Sequence, residues 1–250
     1  MDKVAIFGVN INNIGLKEAS KYLEKYLQGN KLKTIYTPNT EIIMAAKDNE
    51  RMKDLLNKAD LLVPDGIGLV YASRMRNKPL KERVTGFDLS LVLLDMANQF
   101  GYNIYLLGGK EGVAKKAADN IKKRYKNLNI AGYHHGYFSG SHTGVNSQEE
   151  KKIIDEINGN KAHIIFVGLG FPRQELWIDK NKDRLRGKII IGNGGVIDVL
   201  AGETKRAPVI FQKLYLEWFY RLIQEPARIK RQLAIPRFIF HILFNKNMIN

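Results

Sequence analysis

"AHIIFVGLGFPRQELWIDKNKDRLRGKIIIGNGG", residues 162–195, decides the fold. An apolar run ends in a glycine-bearing loop, a charged helical pattern follows, and a second apolar run ends in another glycine loop. Parallel strands buried on both faces read as continuous apolar runs, and a helix between two of them makes a right-handed crossover. The same alternation fills the rest of the first 200 residues. "VAIFGV" (4–9), "LKTIYT" (32–37), "LLVPDG" (61–66), "NIYLLGG" (103–109) and "NIAGYHHG" (129–136) complete a set of strands. Patterns with apolar residues at three-to-four spacing separate them, such as "NTEIIMAAKDNERMKDLLNKA" (39–59) and "SQEEKKIIDEI" (147–157), the latter with Ser147 and Glu150 spaced as a capping box. The expected fold is α/β: a Rossmann-like parallel sheet core with helices on both faces over residues 1–200.

The strand pattern then stops. Residues 201–250 are expected to form an α-helical, basic, amphipathic appendage, with nine Lys/Arg and three Glu giving +6 of the chain's formal +15. "APVIFQKLYLEWFYRLIQEPARIKRQ" places Phe211, Leu214, Tyr215, Trp218, Phe219 and Leu222 on one helical stripe and Arg221, Arg228 and Arg231 on another face. Pro226 kinks or ends that helix, and Pro236 introduces a last apolar piece, "RFIFHILF".

The composition, 44% hydrophobic with no cysteine, excludes disulfides, thiolate metal sites and a cysteine nucleophile, and suits a reducing cytoplasm. The N-terminus is unlike a signal peptide, and no apolar run approaches the roughly 18 residues of a membrane span. The positive charge calls for a polyanionic partner: nucleic acid, anionic lipid or a phosphorylated substrate. A nucleic-acid-binding module is disfavoured because no RNA or DNA motif is present and the basic residues are mostly helix-face lysines. A nucleotide-dependent oxidoreductase lacks its GxGxxG fingerprint.

In open parallel sheets ligands collect where strands end and helices begin. The polar strand ends here are "TPNTE" (37–41), "PDGIG" (64–68), "LGGKEG" (107–112), "HHGYFSG" (134–140), "GLGFPRQE" (168–175) and "GNGG" (192–195). The glycine loops are either tight turns or phosphate cradles, and their repetition suggests a nucleotide across the sheet edge. Asn39 or Thr40 caps the next helix or lines a pocket; Asp65 is a turn residue of Pro-Asp-Gly or a functional acid; Arg83 is a solvated turn residue or an anion ligand. Glu175 at a helix start is what the helix dipole alone favours, whereas Arg173 there is not and points to an anionic ligand. No two aspartates stand two residues apart, and His134 and His135, adjacent on a strand, should face opposite sides. Neither a metal nor a cofactor is expected, so arginines, lysines and backbone dipoles would neutralise a diphosphate.

The set "TPNTEI", "VPDGIGLV", "RVTGFDL", "LGG", "GLGFPRQE", "GNGGVIDVLAG" and "RAP…LEWFYRLIQEPAR" resembles, in order and over nearly the whole chain, the WecG/TagA/CpsF family of bacterial glycosyltransferases. The resemblance implies an inverting, metal-independent transfer of N-acetylmannosamine from UDP-N-acetylmannosamine to undecaprenyl-diphosphate-linked N-acetylglucosamine, for the linkage unit of wall teichoic acid. Another UDP-sugar donor is the alternative. By that resemblance Asp65 is the general base, Thr37 and Asn39 line the pocket beside it, Arg83 binds a phosphate and Gln174 hydrogen-bonds substrate. UDP would lie over Gly108, Gly109 and Gly136 with Asp198 at the nucleoside, and Arg221, Arg228 and Arg231 would stabilise the leaving diphosphate. The appendage would meet the inner face of the cell membrane, and homo-oligomerisation would cover its apolar face off the membrane.

Overall fold

The structure is a computed structural model and describes residues 1–226, 229–244 and 249. Its centre is a six-stranded, all-parallel sheet of β3 (Lys33–Tyr36), β4 (Leu61–Leu62), β5 (Asn103–Gly108), β6 (Asn129–His134), β7 (Ile164–Gly168) and β8 (Ile189–Gly192), in the order β4-β3-β8-β7-β5-β6. The opening stretch supplies the adjacent pair β7 and β8, joined through α8 (Arg173–Asn181). Side chains alternate between two cores, as the two-residue strand period requires. Ile104, Leu106, Ile164, Phe166, Ile189 and Ile191 face α1 (Leu16–Gln28), α5 (Gly86–Phe100), α6 (Val113–Arg124) and α9 (Val196–Ala201). Tyr105, Leu107, Ile165, Val167 and Ile190 face the other layer, which includes α2 (Thr40–Lys47), α3 (Glu50–Asn57), α7 (Gln148–Gly159) and α8.

Several elements differ from the sequence reading. "VAIFGV" is not a strand of the parallel sheet. It spans the turn of an antiparallel hairpin, β1 (Lys3–Ile6) and β2 (Val9–Asn12), whose central residues Phe7 and Gly8 both have positive φ (49° and 81°), as tight two-residue hairpins require. The hairpin covers the sheet edge: Asn12 Oδ1 accepts the Leu62 N–H at 2.8 Å. The apolar run 61–70 divides into the two-residue strand β4, a loop, and α4 (Ile67–Met75). The pattern over 39–59 is two helices, because Asn49 caps α3 by accepting the Met52 N–H. Ser147 caps α7 but the box is incomplete: the Glu150 carboxylate turns instead to Ser141 and Asn181.

The appendage is also broken up. α10 (Val209–Lys213) and α11 (Glu217–Gln224) are separated at Tyr215, whose φ of 60° interrupts the aromatic stripe; α12 (Ile229–Gln232) and α13 (Ala234–Phe244) follow. Pro236 lies in the first turn of α13, where its missing N–H has no helical acceptor to lose. Phe238 and Ile242 are buried among the hairpin and α2 side of the core, with the Phe238 ring edge-on to Phe7 at 5.6 Å. Among the described residues no helix is long and apolar enough to cross a membrane.

Candidate active site

The C-terminal edge of the sheet gathers two groups of side chains. The first lies beyond β3 and β4. Asp65 N–H bonds to the Pro38 carbonyl (3.0 Å) and Val84 N–H to the Pro64 carbonyl (2.9 Å), so the loops holding Thr37, Asp65 and Arg83 are stitched together by backbone. Thr37 stands against Gly86, at whose position a Cβ would come within 2.9 Å of Thr37 Oγ1. Asn39 uses its Oδ1 to cap α2 through the Ile42 N–H (3.0 Å), so its capping role is real and its amide nitrogen remains for other work. Gly66 and Thr85 start α4 and α5, and the N-termini of α2, α4 and α5 therefore converge around Asp65. Three helix starts bring partial positive charge to one place, a setting that favours anions.

Asp65 is held by charge and hydrogen bonds. Its Oδ2 accepts the Gly86 N–H (3.2 Å), Arg83 Nη2 lies 3.4 Å from Oδ1, and Arg83 Nε donates to the Asp65 carbonyl at 2.6 Å. Thirty-one per cent of its side-chain surface stays open, enough for a substrate to reach it. Burial pushes the carboxyl above its ordinary value; Arg83, Arg221 and the Gly86 N–H oppose that rise, and Glu217 adds to it. Arg221 of α11 thus comes near Asp65. Arg231 Nε lies 3.9 Å from Glu41 in the first turn of α2, and Arg228 falls outside the described residues.

The second group lies beyond β5 and β7. Gly108 has φ 155°, and a Cβ there would meet the Gly168 carbonyl oxygen at 2.6 Å, so only glycine allows this approach. Gly136 N–H donates to the Gly109 carbonyl at 2.8 Å, and Asp198 at the start of α9 flanks Gly109. The structure thus brings Gly108, Gly109, Gly136 and Asp198 together. β4 and β5 are four strands apart, about 19 Å at the usual spacing, which suits an extended nucleotide-sugar better than a lone phosphate.

Gln174 lies between the groups and is buried, its carbonyl accepting the Gly194 N–H (2.9 Å) and its amide donating to Glu175 Oε1 (2.8 Å). It fixes the β8 loop. Arg173 is exposed and its charge acts on His142. Glu175 is not the surface acid that dipole reasoning anticipates: it is 1% exposed, its Oε2 has no hydrogen-bond partner among the described residues, and burial pushes it up to about 7. Because the folded value exceeds the ordinary 4.5, the folded protein holds an extra proton between those values. Its stabilising effect is complete below about pH 4.5 and is lost as pH rises through about 7, an effect of about 3 kcal/mol at about 1.4 kcal/mol per factor of ten. Glu175→Gln should flatten that segment of the stability profile, read from urea midpoints between pH 5 and 8. Parallel profiles for the two proteins would contradict the assignment.

Sequence reasoning gave no role to Arg206 or Glu217. Arg206 stacks over Phe87 (4.5 Å) and bonds Asp88 (2.6 Å), while Glu217 pairs with Arg83. The motif fragments that contain them are visible, but a contact 134 residues apart has no local signal. His134 and His135, expected on opposite sides, have ring centroids 4.4 Å apart, tilted at 45°, and both approach Glu149 (3.7 and 3.8 Å), because β6 ends at His134 and the backbone turns. Among the described residues they form the one group of His/Asp/Glu close enough to hold a cation. His135 Nδ1 accepts the Tyr137 N–H (3.3 Å), which leaves its Nε2 protonated in the neutral ring and suited to donating to Glu149.

A doubly covered parallel sheet with an acid, arginines and glycine loops along one edge has the make-up of a site for an anionic ligand. The chain belongs to the glycosyl transferase WecG/TagA/CpsF family, whose model matches residues 4–249. It is 36% identical over 244 residues (97% of this chain, 92% of the relative) to the N-acetylglucosaminyldiphosphoundecaprenol N-acetyl-beta-D-mannosaminyltransferase of Bacillus subtilis. Proteins of the same name from Bacillus spizizenii (36% over 218 residues, 87% and 81% covered) and Staphylococcus aureus (33% over 249 residues, 99% and 94% covered) are similarly related.

Proposed function

We propose that this glycosyltransferase moves N-acetylmannosamine from UDP-N-acetylmannosamine to the N-acetylglucosamine of an undecaprenyl-diphosphate acceptor, making the linkage disaccharide of wall teichoic acid. The names of its relatives support the acceptor and the sugar. The observation that carries the mechanism is Asp65: an accessible carboxylate made more basic by burial, seated among three helix N-termini beside Arg83 and Arg221.

The reaction is a single displacement with inversion. Asp65 takes the proton of the acceptor hydroxyl as its oxygen bonds the anomeric carbon, and the bond from that carbon to the UDP oxygen breaks, leaving UDP with both electrons. Thr37 and Asn39 line the sugar pocket, Gln174 holds the β8 loop against substrate, and Gly108, Gly109, Gly136 and Asp198 receive the nucleotide. Arg83, Arg221, Arg228 and Arg231 offset the diphosphate charge, so no metal ion is required. Assaying the purified protein with a panel of UDP-sugars and a lipid-diphosphate-N-acetylglucosamine acceptor tests donor and acceptor together; turnover of another UDP-sugar alone would refute the donor.

The same reading brings the α10 and α11 part of residues 201–250 to the cytoplasmic membrane surface, while α13 packs on the core. Val209, Ile210, Leu214, Trp218, Phe219 and Ile223 are 40–62% exposed, with Lys205, Lys213 and Arg221 nearby in the chain. Homo-oligomerisation is the competing way to cover these residues. Removing one interfacial aromatic by Trp218→Ala or Phe219→Ala should weaken binding to anionic vesicles about tenfold, since burying such a side chain contributes about 1.5–3 kcal/mol. Unchanged co-sedimentation with vesicles would argue for the oligomer.

A further inference from the structure

The geometry assigns Arg206, together with Arg83, to a diphosphate-binding fork, and it identifies Glu217 as an internal competitor that occupies the place of a phosphoryl group there. This rests on the reading of Arg83 as a phosphate ligand.

Two guanidinium groups from different elements address the two oxygens of one carboxylate. Arg83 Nη2 pairs with Glu217 Oε2, and Arg206 Nε lies 3.9 Å from Glu217 Oε1. Each arginine is oriented without Glu217. The Asp65 carbonyl takes Arg83 Nε, while Asp88 and the Phe87 face hold Arg206. The fork is therefore built by the core, and the carboxylate is its exchangeable member. Planar guanidiniums arranged around two oxygens match phosphoryl oxygens as well as carboxylate oxygens.

The origin of Glu217 supports the exchange. It is the first residue of α11, a helix with no buried residue, yet its own side chain is only 12% exposed. Through this acid α11 reaches both Arg83 and Arg206. Asp65, Asp88 and Glu217 balance Arg83, Arg206 and Arg221 in charge, so withdrawing Glu217 leaves the group at +1 and ready for an anion. Arg221 lies one turn further along the same face of α11 and already acts on Asp65, so turning the Glu217 side chain out of the fork leaves this base beside it.

A diphosphate reaches the fork either as part of the nucleotide or as part of the lipid acceptor. An occupant that fills a site nine-tenths of the time raises the apparent Kd of any competing ligand about tenfold. Full-length Glu217→Gln, which keeps the shape and removes the charge, should therefore bind UDP several-fold to about tenfold more tightly by calorimetry if the fork takes the nucleotide. If it takes the acceptor, UDP affinity stays constant while the KM for a short-chain lipid-diphosphate acceptor falls by the same factor. In either case Arg206→Gln added to Glu217→Gln should cancel the gain. Failure of both ligands to gain, or a gain that survives loss of Arg206, overturns the inference. Arg83→Gln measured in parallel separates the two readings. If it weakens a ligand while Glu217→Gln strengthens none, only the competitor falls; if it changes neither ligand, the phosphate role of Arg83 falls and the fork with it.

Discussion

Asp65→Asn is expected to lower the rate of glycosyl transfer by about 10³-fold, within the 10²–10⁴ range over which a positioned general base acts. The substitution keeps an oxygen to accept the Gly86 N–H and removes the only feature that proton abstraction needs. It also removes a charge whose burial is unfavourable, so the urea midpoint should not fall and UDP binding should persist. Loss of activity is then a loss of chemistry. Because burial raises the Asp65 carboxyl, the acid limb of kcat/KM in the unaltered protein should lie above the ordinary aspartate value of 3.8, with activity falling as pH drops through it. Initial rates at saturating UDP-sugar are the measurement. An Asp65→Asn protein retaining more than a tenth of the activity would remove Asp65 from the role of base.

The parallel sheet was legible because its strands are buried on both faces, which leaves runs such as Ile164–Val167 with no polar residue to confuse the period. The hairpin was not, since Phe7 and Gly8 carry a turn with no proline, asparagine or aspartate to announce it, and Val4–Val9 reads as one run. Asp65 could be singled out by position, at the polar end of an apolar run, but its significance depends on Gly86 and Arg83 arriving from the next loop. Glycine loops were visible for the same positional reason, and Gly108 is explained only once Gly168 of the neighbouring strand is known to press against it. Glu175 misled because a helix-start acid normally faces water, whereas here the first turn of α8 enters the core, burying Gln174 and Glu175 together. Arg206 and Glu217 lie in stretches that looked merely basic or amphipathic; their partners Asp88 and Arg83 are more than 100 residues away.

Phe238→Ala should destabilise the protein by about 3–4 kcal/mol, the usual result of deleting a buried aromatic ring. Phe238 fills the space under Phe7, a residue whose positive φ is unfavourable for a side-chain-bearing residue and therefore depends on packing for support. Removing the ring leaves a cavity between the hairpin and α13 and loosens the α13 contacts with α2 and α4. Arg76 would still cap the end of α13 through the Ile242 carbonyl, so the helix should remain formed but less firmly attached. The contrast with α11 is the informative part. Trp218→Ala touches a side chain that is 40% exposed and should shift the urea midpoint little while weakening vesicle binding, whereas Phe238→Ala should do the reverse. That dissociation would show that residues 201–250 do not behave as one appendage: α13 belongs to the core, and α10 and α11 are the part free to respond to a surface. It also bears on truncation, because deleting everything after residue 200 removes α10 and α11 and at the same time uncovers Phe7 and Ile6. Loss of activity in such a protein would report unfolding as readily as lost membrane contact. Equal destabilisation by the two substitutions would instead mean that α11 is anchored to the core as firmly as α13.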